Sequence, residues 1–144
     1  MTEVAFHFNV PDRLAYACRL LRKAVNQRAR LVVTGLPAEL HELSEALWTM
    51  APTDFVPHCD LQSEARVIAA SPVLLAAGVE RAPQHRVLVN LADSVPLGFE
   101  RFERVIELVG CEARQRESAR RRWRAYVGGG YPVQGHDLSA PAPR

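Results

Sequence analysis

The sequence predicts an α/β fold in three layers, with a mostly parallel central sheet covered by helices on both faces. Three observations predict it. Short runs of strand-forming residues alternate along the chain with stretches of helical spacing. The run Ala29 to Thr34 (ARLVVT) is apolar and β-branched almost throughout, as a strand buried on both faces should be. The 144 residues suit one domain that buries roughly two-thirds of its unfolded surface, and they contain no internal repeat.

Taken in order, Val4 to Val10 (VAFHFNV) alternates and is rich in β-formers, so it reads as a first strand. Pro11 ends its ladder and is a good first helical residue. Leu14, Ala17, Cys18, Leu21 and Val25 then keep the spacing of one apolar helix face to about Gln27, which places Cys18 in the core. After the Ala29 to Thr34 strand, Gly35-Leu36-Pro37 turns the chain into a helix to about Met50, with Leu40, Leu43 and Leu47 inward, Trp48 beside them, and Pro52 ending it. Phe55 follows in a loop bracketed by Pro52 and Pro57. Residues 62–70 read as a short helix or turn, Val73 to Ala77 as a weak strand and Arg86 to Leu91 (RVLVNL) as a stronger one. Phe99, Phe102, Val105, Ile106 and Val109 have helical spacing, which predicts a helix terminated by Gly110. A basic helix runs from Glu112 to Tyr126 and stops at Gly128-Gly129-Gly130. From Tyr131 to Arg144 the prolines and weak periodicity predict a mobile tail, giving one domain over 1–130 and a tail over 131–144.

Composition excludes several classes of function. With 48% hydrophobic and 24% charged residues and a net charge of +2, the chain is an ordinary globular protein and not a polycation. No apolar run reaches the roughly 18 to 20 residues of a membrane span, and the opening Met1-Thr-Glu-Val has no signal-like segment, so a cytoplasmic protein with no membrane partner is expected. Cys18, Cys59 and Cys111 are odd in number and far apart, which fits a reducing compartment. The layout is Rossmann-like, yet it lacks a phosphate-binding loop: Asn9-Val10-Pro11-Asp12 and Gly35-Leu36-Pro37 carry none of the glycine pattern, and Gly128 to Gly130 follow a helix instead of opening one. His58, Cys59 and Asp60 are consecutive, and consecutive side chains rarely converge on one metal ion. His41 with Glu42 and Glu45 reads as a solvated helix face, and His7 as a structural strand residue. With no nucleophile or zinc motif either, no catalytic residue, cofactor or metal is expected.

The informative segment is the basic helix. Arginines stand at 114, 116, 120, 121, 122 and 124 against two acids, Glu112 and Glu117. Arg116, Arg120 and Arg124 recur every four residues and form one stripe, with Trp123 beside it. Like charges at this spacing destabilise a helix unless a partner relieves them. Two partners fit: the phosphates of single-stranded nucleic acid, with Trp123 stacking on bases, or the carboxylates of an acidic peptide whose apolar side chain packs on the indole. The plainer alternative is a basic helix end that complements its own dipole and covers core with arginine stems.

The block Glu45-Ala46-Leu47-Trp48 with Phe55-Val56-Pro57-His58, followed by Arg120-x-Arg122-Trp123-Arg124-Ala125-Tyr126, resembles the paired signature of the chi subunits of bacterial DNA polymerase III holoenzyme, over nearly the whole length. The resemblance implies a non-catalytic accessory of the clamp loader that joins the psi subunit and grips the acidic C-terminal tail of single-stranded-DNA-binding protein, meeting DNA only indirectly. By position it assigns Val109, Arg116, Arg120, Trp123 and Arg124 to the tail pocket, and Trp48 and Phe55 to the psi face. Trp123 stands where the family often has tyrosine, Arg116 and Arg124 where lysine is common, and Gly110 in place of a proline.

Overall fold

The computed structural model describes residues 1–49, 57–60, 63, 66–67, 71–79, 82 and 86–139. In chain order the elements are β1 (Glu3–Val10), α1 (Arg13–Asn26), β2 (Leu31–Thr34), α2 (Pro37–Thr49), β3 (His58–Asp60), β4 (Val73–Leu75), β5 (Val87–Asn90), a short 3-10 turn (Phe99–Arg101), β6 (Arg104–Gly110), α3 (Ala113–Gly128) and β7 (Val133–Asp137). The strands form one sheet in the order β3-β4-β2-β5-β6-β1-β7, every pairing parallel. A Rossmann-like three-layer α/β fold results. Among the described residues no helix is long and apolar enough to cross a membrane.

Strand alternation divides the interior into two cores. On one face Leu31, Val33, Val89, Ile106 and Leu108 meet Ala17, Cys18 and Leu21 of α1 and Leu40, Leu43 and Leu47 of α2. On the other, Val4, Phe6, Val32, Leu88, Val105 and Val109 meet Ala119 and Tyr126 of α3. The helix starts at Arg13, two residues after Pro11: Asp12 is the cap, its side chain accepting a hydrogen bond from the Ala15 amide at 3.1 Å.

Two segments depart from the sequence expectation. The predicted helix through Phe99 to Val109 is only a 3-10 turn at its start, and Arg104–Gly110 is the strand β6, held between β5 and β1. A parallel strand covered on both faces is apolar at successive positions, so the spacing of Val105, Ile106 and Val109 also fits a helix face. Glu107 lies within that run and is fully buried. The domain also extends past residue 130, because Val133–Asp137 pairs with β1 as an edge strand where a mobile tail was expected. Its glycine, flanking proline and exposed side chains conceal it in the sequence. Gly130, at φ +86°, turns the chain back toward the sheet: the Gly130 amide donates to Val127 and the Tyr131 amide to Tyr126, closing the end of α3 in a Schellman arrangement. β3 has only three residues and directly follows Pro57, too short a run to carry a periodic signal in the sequence. The predicted helix or turn at 62–70 lies mostly outside the described residues.

Candidate functional site

A cavity of about 560 Å³ opens between α3 and the edge of the sheet formed by β1 and β7. Its walls come from both. Val109, at the end of β6, and Ala119, Arg116, Arg120, Trp123 and Arg124 of α3 line one side; Phe6, Phe8 and Asn9 of β1 and Gly135 of β7 line the other. All five residues that the family resemblance points to, Val109, Arg116, Arg120, Trp123 and Arg124, therefore border one space. Val109 reaches it from a strand and not from a helix end.

The apolar floor is built by rings. Phe6 and Trp123 stack at 5.1 Å between centroids with planes tilted by 48°, and Phe6 meets Tyr126 edge-on at 5.9 Å. Gly135 lets these rings close over the edge strand, since a β-carbon there would stand 3.1 Å from Phe8 Cε1 and 3.4 Å from Trp123 Cη2. Asn9, at φ +58°, donates from Nδ2 to Asp137 Oδ1 at 2.9 Å and ties the end of β1 to the end of β7. The rim is cationic. Arg116, Arg120 and Arg124 are exposed, Trp123 is half-buried, and among the described residues no carboxylate pairs with any of the three.

The other arginines of α3 face elsewhere. Arg121 lies 3.8 Å from Glu117 on the solvent side. Arg122 points inward and is 5% exposed: Nε donates to Glu107 Oε1 at 3.0 Å, and Nη1 to Ser118 Oγ at 2.6 Å and the Asp93 carbonyl at 3.3 Å. Tyr126 donates its hydroxyl to Glu107 Oε2 at 2.6 Å, and Asn90 Nδ2 donates to both carboxylate oxygens at 3.0 and 2.9 Å. Burial pushes the Glu107 carboxyl above its usual range, while Arg122, Tyr126 and Asn90 pull the other way. The Tyr126 hydroxyl is raised, first by burial and then by Glu107. This network anchors α3 to the sheet and sets its rotation, so that the 116/120/124 stripe falls over the cavity.

Sequence reasoning missed Phe6, Phe8, Asn9, Ala119 and Gly135. The alternation of VAFHFNV does place Phe6 and Phe8 on one face, but nothing in the sequence brings Gly135 beside them.

At the opposite edge of the sheet, a second cavity of about 640 Å³ lies between α2 and β3, lined by Leu40, His41, Ser44, Trp48, His58 and others. Trp48 is 66% exposed on its rim and meets the His58 ring edge-on at 5.8 Å, so core packing does not account for it. Phe55, the other predicted psi-face residue, lies outside the described residues. His58 bonds Ser44 at 2.9 Å and Cys59 is buried, while His41 lies on the solvent side of α2, 3.2 Å from Glu45. His7 is held in the fold at 2.6 Å from the Tyr16 hydroxyl.

The family profile described as DNA polymerase III chi subunit, HolC, matches residues 1–134. The chain is also similar to the DNA polymerase III subunit chi of Pseudomonas aeruginosa, at 35% identity over 144 residues that cover 96% of this chain and 98% of that protein.

Proposed function

Because this chain belongs to the family of DNA polymerase III chi subunits, we propose that it is a non-catalytic adaptor of the bacterial cytoplasm. It holds the acidic C-terminal tail of single-stranded-DNA-binding protein in the α3 cavity and the psi subunit on the Trp48 face. It thereby links the clamp loader to coated template.

One observation carries this reading: an apolar cavity floored by Phe6, Phe8 and Trp123 has a rim of three arginines that no acid of the described residues neutralises. A peptide ending in an apolar residue with a free carboxylate satisfies both parts, shedding water from its ring against the floor while guanidinium groups take the carboxylate in charge-assisted hydrogen bonds. Single-stranded nucleic acid would meet the rim with its phosphates and stack a base on Trp123, and the titration below separates the two. The Trp48 cavity borders β3 and the arginine cavity borders β7, with five strands between them. At about 4.8 Å per strand the two edges are roughly 29 Å apart, so two partners can bind at once without touching.

The test is a titration at matched salt with a synthetic acidic peptide ending in phenylalanine and with oligothymidine. Peptide binding of micromolar order, about −8 kcal/mol, is expected, with little affinity for the oligonucleotide. Saturable oligonucleotide binding without peptide binding overturns the proposal.

A further inference from the structure

Among the described residues β7 is the last strand of the sheet and pairs only with β1. Pro132 accepts from the Val4 amide just before it and the Leu138 amide donates to Phe8 just after it, so the even-numbered residues of β7 turn their backbone groups toward β1. Val133, Gly135 and Asp137 turn theirs outward. Among the described residues no hydrogen bond engages these outward groups. Natural edge strands are commonly blunted by charged side chains, an internal proline or a bulge; β7 has no lysine, internal proline or bulge, and the carboxylate of its one acid, Asp137, is already engaged by Asn9 and Ser139. At its centre is Gly135, and a strand glycine often marks a place where another backbone comes close.

The outward edge runs beside the arginine row. Arg116 to Arg124 spans eight residues of helix, roughly 12 Å, and the four steps from Val133 to Asp137 span roughly 13 Å. Both border the same cavity through Gly135 and the three arginines. A strand added beyond β7 would place alternate side chains on the α3 face, in line with the guanidinium groups. Acidic side chains complete that arrangement by charge.

We infer that the acidic residues preceding the peptide's terminal apolar residue bind as an eighth β-strand along the outer edge of β7, their alternate carboxylates facing Arg116, Arg120 and Arg124. This rests on the tail-binding reading above and deepens it: the cavity takes the end of the peptide, and the sheet edge takes the backbone before it.

The experiment uses the full chain and a synthetic nonapeptide of acidic and small residues ending in phenylalanine, with single backbone N-methyl groups scanned along it. Methylation at alternate positions is expected to weaken binding about tenfold, the scale of one lost hydrogen bond, and at intervening positions by less than about twofold. In parallel, the amides of Val133, Gly135 and Asp137 should slow in hydrogen exchange when the unmethylated peptide is added. A tripeptide ending in phenylalanine reports the cavity alone. If it binds while the methyl scan is flat, strand addition is wrong and the cavity reading stands; if neither peptide binds, both fall. Protection of the same amides that grows with protein concentration, without peptide, would assign the edge to a second copy of the chain and overturn the inference.

Discussion

Arg120 and Arg122 are two positions apart on one helix, and their substitution should separate function from stability. Arg122 is buried with three hydrogen bonds, one of them to the fully buried carboxylate of Glu107. Arg122→Leu keeps apolar bulk but strands that carboxylate with only Asn90 and Tyr126 as donors. Breaking one side of a buried ion pair costs about 3–5 kcal/mol, a fifth or more of the roughly 5–15 kcal/mol that holds a domain of this kind together. Arg120→Leu removes an exposed charge and should move stability by less than about 0.5 kcal/mol. Adding Glu107→Leu to Arg122→Leu removes the orphaned acid and should recover much of the loss, because an apolar pair of similar volume is often as stable as a buried ion pair. The assay is urea unfolding followed by far-ultraviolet circular dichroism, comparing midpoints at constant slope. Peptide titration of the same proteins should give the opposite order, with Arg120→Leu losing about 1.5–3 kcal/mol of affinity through a lost charge-assisted bond. An Arg122→Leu protein destabilised by less than about 1 kcal/mol would refute the reasoning, since burial of the pair is what sets the magnitude.

Three further outcomes are expected. Gly135→Val should cut peptide affinity by more than about tenfold, because its side chain enters the cavity from a position already 3.1 Å from Phe8 and 3.4 Å from Trp123; unchanged peptide affinity would mean that the cavity does not hold the peptide. Trp48→Ala should leave the unfolding midpoint nearly unchanged, the side chain being 66% exposed, and abolish co-elution with the psi subunit; retained co-elution would move that partner elsewhere. Burial, then His136 and Arg104, lower the His7 pKa from 6.5 to about 4, so unfolded chains take up a proton below pH 6.5 that the native state refuses. The stability tied to this ring is thus present above 6.5 and lost as pH falls toward 4. The full gap corresponds to roughly 3 kcal/mol, and solvent screening of a half-buried ring reduces it to about 1–2 kcal/mol. His7→Asn should flatten the decline between these limits, and an unchanged pH slope in the variant would show that another group causes it.

The sequence by itself determined the alternation of strands and helices, the face that each of α1 and α2 buries, and the cation–indole stripe of α3. These are local properties: a helix repeats every 3.6 residues and a half-buried strand every two, so a window of ten residues records which side meets the core. Tertiary structure decided the rest. Arg104–Gly110 became a strand because β5 and β1 bond it on both edges, and Val133–Asp137 became one because β1 had an open edge to offer. Six arginines in the segment 114–124 look alike in sequence. Only a buried Glu107 on another element turned Arg122 inward and left Arg116, Arg120 and Arg124 at the rim. The cavity itself brings Phe6 beside Val109, Trp123 and Gly135, all more than a hundred residues later in the chain, because packing a helix over a sheet edge creates a concave surface that neither element has alone.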